Sequence, residues 1–285
     1  MTALIRLALG AVVAVLLAGC GAGGFTGDKP DEEPRPPIRT YVAIGDGFAA
    51  APEVGRTDPA RGCRRGAGSY PAQVAKRLGV PVTDVTCTGA TTRAMLYRSA
   101  APDGKGELEA QIDAVTEATD LVTITAGITD DNLLQRGFYV CMEWPCAKFR
   151  IPAQQLATEA TTAGTQVTEI VRQVLQKAPN AYVVLVGYPK IAPPKAGCDG
   201  LPRMDANQLV GVNYLFDQVN KSMRSAAQQT GTQYADLSTV SDGHDACSAT
   251  PWVRSPKGDK KLALLPLAPA QKAAADAVIA ALATR

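Results

Sequence analysis

Across 285 residues the chain carries 29 Lys and Arg against 27 Asp and Glu, a formal net charge of +2, and 46% of its residues are hydrophobic. That apolar content is the content of a globular protein. With so small a net charge and no block of Lys or Arg, the composition excludes a nucleic-acid partner, because counterion release needs a clustered basic face; the Arg61-Gly62-Cys63-Arg64-Arg65 run reads as a solvated loop.

The first 20 residues, MTALIRLALGAVVAVLLAGC, hold one early cation, Arg6, an apolar run from Leu7 to Leu17, and small residues just before Cys20. This is the pattern of a secretory signal peptide. The run is too short for a bilayer-spanning helix, which needs roughly 20 apolar residues. The ending Leu17-Ala18-Gly19-Cys20 resembles the lipobox of bacterial lipoproteins, in which the cysteine thiol is diacylated and becomes the first residue of the mature chain. The resemblance implies a signal peptide over 1–19 and a lipidated, palmitate-bearing Cys20. It also implies an exported chain anchored through that lipid to the outer face of the cell membrane, within the envelope. Each buried lipid CH₂ contributes roughly 0.8 kcal/mol, so two or three acyl chains hold firmly.

After Cys20, residues 21–39 continue as GAGGFTGDKPDEEPRPPIR, rich in Gly, Pro and charge, which buries too little apolar surface to order itself, so that residues 20–39 read as the lipidated cysteine and its tether. Fully extended it reaches roughly 60 Å at about 3.3 Å per residue. From Thr40 onward about 245 residues remain, a normal length for one α/β domain spanning 40–285.

Within that domain Thr40 to Ile44 is a short β-prone run that stops at Gly45, the look of a buried parallel strand entering a turn. A helix pattern covers Tyr70 to Leu78, and Val82 to Cys87 reads as a second strand. Leu121 to Thr125 is a third strand, bounded by Gly127. Ala153 to Lys177 is a long helix whose Ile170, Val171, Val174 and Leu175 form an apolar stripe. Tyr182 to Val186 is a fourth strand, Asn207 to Gln229 a helix, and Gln233 to Leu237 a fifth strand. Pro269 to Leu282 closes the chain as an Ala-rich helix opened by proline. Strands alternating with helices predict a parallel sheet with helices on both faces, and place ligands beyond the carboxyl ends of the strands.

Seven cysteines become six once Cys20 is assigned to the lipid, and an even number in an exported chain suggests disulfides. Six cysteines allow 15 pairings. The spacing favours neighbours: Cys63 with Cys87, Cys141 with Cys146, and Cys198 with Cys247. The first and last would close loops of about 25 and about 50 residues, each worth on the order of 3 to 4 kcal/mol in the chain-entropy treatment. Zinc is the competing reading; with no Cys-x-x-Cys pair and one His, no metal and no other cofactor is expected.

The strand ends carry the remaining signal. They read Gly45-Asp46-Gly47-Phe48, Cys87-Thr88-Gly89-Ala90-Thr91-Thr92 and Gly127-Ile128-Thr129-Asp130. Together with YVAIGD, TDLVTITAG, VVLVGYP and the GHDAC-x-x-x-PWV segment, in that family's order, they resemble the SGNH (GDSL) hydrolases over nearly all of Thr40 to Leu282. The resemblance is to the secreted, lipase-like actinobacterial branch. It implies a three-layer α/β/α, flavodoxin-like fold with a parallel five-stranded sheet. It also implies ester hydrolysis by a Ser nucleophile and a His base, with the oxyanion held by backbone N–H groups, a Gly and an Asn.

Carried over position by position, the family's nucleophile falls on Gly47, its oxyanion Asn on Thr129, its acid on Leu262 and its base on Leu265; among the four signature residues Gly89 is retained. Gly has no side chain to attack with and Leu cannot accept a proton. Loss of nucleophile or base costs around 10⁶ in turnover in a hydrolase of this kind. The expectation is therefore a catalytically inactive relative. It would bind a lipid, acyl or glycan ligand at the N–H groups of Gly47 and Gly89, with the Thr129 hydroxyl as a third donor and an apolar groove beside Gly47.

Two alternatives stand beside it. The first is a working carboxylic ester hydrolase with displaced catalytic residues around His244, the single histidine, which needs a Ser within reach of the imidazole. The resemblance places His244 in a disulfide-tied loop, not at the base. The second is a structural envelope module whose pocket is filled by Leu262 and Leu265. Asp130 and Asp131 suggest a carboxylate pair, but Asp130 matches the family's structural Asp. Beyond the membrane and such a ligand, no partner is implied, and a monomer is expected.

Overall fold

The computed structural model describes residues 37–133, 153–194, 197–199, 201, 204–255 and 262–284. The signal sequence, Cys20, most of the tether, and the Cys141 and Cys146 pair expected from the sequence lie outside the described residues.

The five runs rich in β-branched and apolar residues become β1 (Tyr41–Gly45), β2 (Val82–Asp84), β3 (Leu121–Thr125), β4 (Tyr182–Val186) and β5 (Gln233–Ala235). All pair in parallel, in the order β2-β1-β3-β4-β5, which is the flavodoxin-like order. Tyr41 stands opposite Val82 on one side and Leu121 on the other. Helices cover both faces: α1 (Gly47–Ala50), α2 (Tyr70–Leu78), α3 (Thr92–Leu96), α4 (Ala153–Lys177), α5 (Ala206–Thr230), α6 (Leu237–Val240) and α7 (Ala268–Ala283).

Alternation along the strands divides the core in two. Val42, Ile44, Val122 and Ile124 face the layer of α4 and α5, where they meet Ile170, Val174, Leu215 and Met223. Tyr41, Ala43, Leu121 and Val184 face α2 and α7, where they meet Tyr70, Val74, Ala274 and Val278. Burial on both faces explains why the strands read as apolar runs without a polar side. The domain is thus the three-layer α/β/α sandwich that the alternation of elements predicts.

Two strands are shorter than their sequences suggest. Beyond Asp84 the chain still donates from Val85 to Ala43 and from Cys87 to Gly45. There, however, the Asp84 carboxylate accepts from the Thr86 N–H and hydroxyl at 3.0 and 2.6 Å, bending the backbone out of the ladder. After Ala235, Asp236 caps α6 by accepting from Ser238 and Thr239, and converts the fifth strand into a helix start. Cys63 is bonded to Cys87 and Cys198 to Cys247, as their spacing suggested.

The two long helices α4 and α5 pack through Gly164. A Cβ built there would lie 2.6 Å from the Ser222 Cβ. Gly164→Leu is expected to lower stability by about 1 to 3 kcal/mol through overpacking, seen as a lower urea midpoint at unchanged slope.

Candidate functional site

The site lies where the sheet's strands end, because each carboxyl-terminal turn projects its backbone into the same crevice. After β1, Asp46 caps α1: its Oδ1 accepts from the Phe48 N–H at 2.8 Å and its Oδ2 from the Tyr188 hydroxyl at 2.7 Å. The carboxyl is fully buried, and burial pushes it up to about 7 against the pull of those two hydrogen bonds. The Tyr188 ring that bonds it packs edge to face with Phe48 and Phe216, and those two with each other, at centroid separations of 5.0 to 6.1 Å. The cap leaves the next amide free: the Gly47 N–H donates to no described residue.

Gly47 itself is covered. A Cβ built on it would stand 3.0 Å from Leu265 Cδ2 and 3.5 Å from Thr88 Cγ2. The Thr88 hydroxyl is buried and has no hydrogen-bond partner among the described residues. Beside it, Gly89 takes φ +83, is exposed, and has open space where a Cβ would point. Its N–H, like that of Gly47, donates to no described residue. A side chain here would be strained by the positive φ, so the turn suits glycine and leaves its backbone open to a ligand.

At the end of β3 the Thr129 hydroxyl donates to the Ala90 carbonyl. Its proton is therefore engaged in joining two turns, and of the three expected donors the two amides are left without an acceptor among the described residues. Asp130 is buried and accepts from the Thr92 N–H and hydroxyl at 2.8 and 2.6 Å. Burial raises its pKa, with the Thr92 bonds opposing. It thus ties α3 to the turn after β3, and Asp131 lies at positive φ beyond it. Among the described residues no group of three or more His, Cys, Asp or Glu is placed to hold a metal ion.

Leu265 reaches Gly47 because its segment is pinned. Arg254 N–H donates to the Leu265 carbonyl, Leu264 N–H to Arg254, and Leu267 N–H to Trp252, so residues 252–254 and 264–267 pair antiparallel. Leu262, partly buried, packs against the core. The apolar groove expected beside Gly47 is thus filled by the chain's own Leu265, and the open space lies on the Gly89 side. This covering is the mark expected of a structural module.

His244 is held within its own loop. Its Nδ1 lies 2.8 Å from the Thr250 carbonyl and 3.0 Å from the Thr250 hydroxyl, and its ring stacks on Trp252 with a centroid separation of 4.6 Å. No serine is among its described hydrogen-bond partners.

Sequence reasoning missed the Asp46–Tyr188 pair and the link made by Gln271, which accepts from the Tyr70 N–H at 2.6 Å and donates to the Phe48 carbonyl at 2.8 Å. Tyr188 stands at the end of β4, so the strand-end rule applied to the other strands would have found it. Gln271, in α7, carries no such signal.

With this geometry in place, likeness to known proteins can be weighed. Residues 43–264 match the GDSL-like Lipase/Acylhydrolase family. Lipase 2 of Streptomyces coelicolor is 32% identical over 265 residues, 88% of each chain. A lipase of Streptomyces rimosus is 28% identical over 224 residues, 78% of each chain. Among solved structures, the extracellular lipase of Streptomyces rimosus has a TM-score of 0.72 at 25% identity, over 86% of this chain and 100% of its own. Phospholipase A1 of Streptomyces albidoflavus has a TM-score of 0.72 at 24% identity, over 86% of this chain and 99% of its own, a likeness of fold. These relatives correct one expectation: an inactive ligand-binding protein is overturned by matches across most of the chain to lipases, which favour the ester hydrolase alternative.

Proposed function

The chain belongs to the GDSL-like lipase/acylhydrolase family, and on that premise we propose that it is a carboxylic ester hydrolase working at the ends of β1 and β2. The observation that carries the reading is the pair of amides, Gly47 N–H and Gly89 N–H, that donate to no described residue. In an ester hydrolase such donors take the developing oxyanion, and losing one costs about 10² to 10³ in turnover.

Gly47 supplies no nucleophile, so water attacks the carbonyl carbon. The new C–O bond forms as the carbonyl electrons move to the oxygen facing the amides. Bulk water takes the proton of the attacking molecule, and collapse of the tetrahedral intermediate breaks the ester C–O bond and expels the alkoxide, which takes a proton from bulk water. Thr88, whose methyl faces Gly47 and whose buried hydroxyl has no hydrogen-bond partner among the described residues, is the side chain that would hold that water after rotation about its Cα–Cβ bond. Catalysis by donors and binding without a triad amounts to roughly 10³ to 10⁴ over water, which suits esters with good leaving groups.

The same reading places the domain outside the cell. The signal-like first 19 residues and the extracellular lipase among its relatives support export. The lipobox-like ending at Cys20 supports a lipid anchor at the outer face of the membrane, with residues 20–39 as its tether. Among the described residues no helix is long and apolar enough to cross a membrane.

The test is hydrolysis of p-nitrophenyl acetate by the purified protein. Wild type is expected to exceed the buffer rate by about 10³-fold, Thr88→Val to lose roughly five- to ten-fold in kcat, and His244→Ala to keep the wild-type rate. A wild-type rate equal to buffer overturns the proposal; loss of activity in His244→Ala would instead assign the base to that imidazole.

A further inference from the structure

On the outer side of the α4 and α5 layer a groove of about 300 Å³ runs between the two helices, with Gly164 and Ser222 in its lining where they pack closest. None of Gly47, Thr88, Gly89 or Leu265 lines it, so it is separate from the crevice at the strand ends. Its volume stands at the lower limit of small-ligand sites, which run from about 300 to about 1,000 Å³. All ten lining residues are Thr, Ser, Gln, Gly, Arg or Lys, so none is acidic and none offers a hydrophobic side chain. An alkyl chain gains nothing in such a lining, whereas a polar ligand finds hydrogen-bond partners throughout.

The polar groups divide by role. Thr161, Thr165 and Thr168 donate their hydroxyl protons to the backbone carbonyls four residues earlier, at 2.8, 3.2 and 2.9 Å. A hydroxyl has one proton and two lone pairs, so each of the three is left able to accept. The charges divide as well. Helices α4 and α5 carry four cations, Arg172, Lys177, Lys221 and Arg224. Lys177 and Arg224 are paired, with Asp113 and Asp236. Arg172 and Lys221, the two that line the groove, pair with no described residue. Acceptors that suit ligand hydroxyls thus stand beside two uncommitted positive charges.

We propose that this groove is a second binding site, for the phosphate monoester of a sugar or small polyol. A phosphate monoester carries close to two negative charges at neutral pH and three strong acceptor oxygens, which match Arg172 and Lys221. The planar guanidinium takes two of the oxygens at once, and the ammonium supplies the second charge. A carboxylate or a phosphate diester brings one charge and leaves one cation unmatched. The hydroxyls of the sugar or polyol donate to Thr161 and Thr165, whose own protons are already spent. Because the groove lies apart from the strand-end crevice, the proposal does not depend on the ester hydrolase reading.

Calorimetry on the purified full-length protein tests it, with inositol monophosphate as the probe. One site is expected, weakening as salt rises because Arg172 and Lys221 are exposed. Inositol should not bind. Glucuronate, and glycerophosphoinositol as the soluble diester of a lipid headgroup, should each bind about ten-fold or more weakly than the monoester. Arg172→Gln and Lys221→Gln should each weaken the monoester about ten-fold or more. Thr165→Val should weaken it about three- to ten-fold while leaving inorganic phosphate unaffected, which separates recognition of the hydroxyls from recognition of the charge. All three positions are exposed on their helices, and thermal unfolding verifies the fold. Lys76→Gln, an exposed cation of α2 outside the groove, should change nothing.

No saturable binding of inositol monophosphate, or an equal loss in Lys76→Gln, overturns the site. Tighter binding of glycerophosphoinositol than of the monoester overturns the choice of ligand and assigns the groove to a lipid headgroup.

Discussion

Placing serine at 47 and histidine at 265 in one molecule is expected to raise ester turnover by at least about 10²-fold over wild type, the lower end of what a positioned base contributes. The geometry supports the repair. Gly47 has no positive φ, so a serine there needs no unusual backbone. The one tight contact for its Cβ is Leu265 Cδ2 at 3.0 Å, and the second substitution removes that methyl while putting an imidazole in its place. Nucleophile and base act as a unit, so each alone yields little: Gly47→Ser has a hydroxyl with no base and meets Leu265, and Leu265→His has a base with nothing to deprotonate. The double variant remains below a full triad because Leu262 offers no carboxylate to orient the ring. Kinetics on p-nitrophenyl acetate, with thermal unfolding to verify the fold, check the result. A folded double variant no faster than either single variant would mean that positions 47 and 265 do not meet as the packing of Leu265 on Gly47 indicates.

The second large effect concerns Asp46. Its carboxyl, raised by burial to about 7 in the native state, has an ordinary value of about 3.9 in the unfolded chain. Below pH 4 both states hold the proton and the contribution to stability is complete. As pH rises from 4 to 7 the unfolded chain releases the proton while the native state keeps it, so this residue removes about 1.4 kcal/mol of stability per pH unit, and nothing more above 7. Asn at 46 keeps an oxygen for the Phe48 N–H and offers its amide to the Tyr188 oxygen, and it does not titrate. Asp46→Asn is therefore expected to gain about 2 to 3 kcal/mol relative to wild type between pH 5 and pH 8, read from urea unfolding at both values. Asp120, Asp236 and Asp276, whose pKa values are lowered, pull the opposite way with pH but are common to both proteins and cancel in the difference. An unchanged gap would show that Asp46 is ionised in the native state at pH 5.

The sequence by itself determined the elements. The β-prone runs, the long helices read over Ala153–Lys177 and Asn207–Gln229, and the order of alternation all follow from periodicities set by covalent neighbours, and these predict the parallel three-layer sandwich. It also determined which positions of the family's site carry Gly, Thr and Leu, and the pairings Cys63–Cys87 and Cys198–Cys247 that their spacing favours. Helices of four or five residues, such as Gly47–Ala50 and Thr92–Leu96, were not legible, because they are too short to display a full helical period and are held by the Asp46 and Thr91 caps. Tertiary structure alone decided the chemistry of the crevice. Tyr188 meets Asp46 across 142 residues, Gln271 meets Phe48 across 223, and Thr129 spends its proton on Ala90. Leu265 closes over Gly47 while Gly89 is left open. The physical reason is that a local pattern determines which face of an element is apolar, whereas the partner of a buried polar group is whatever the packed sheet brings within hydrogen-bond reach.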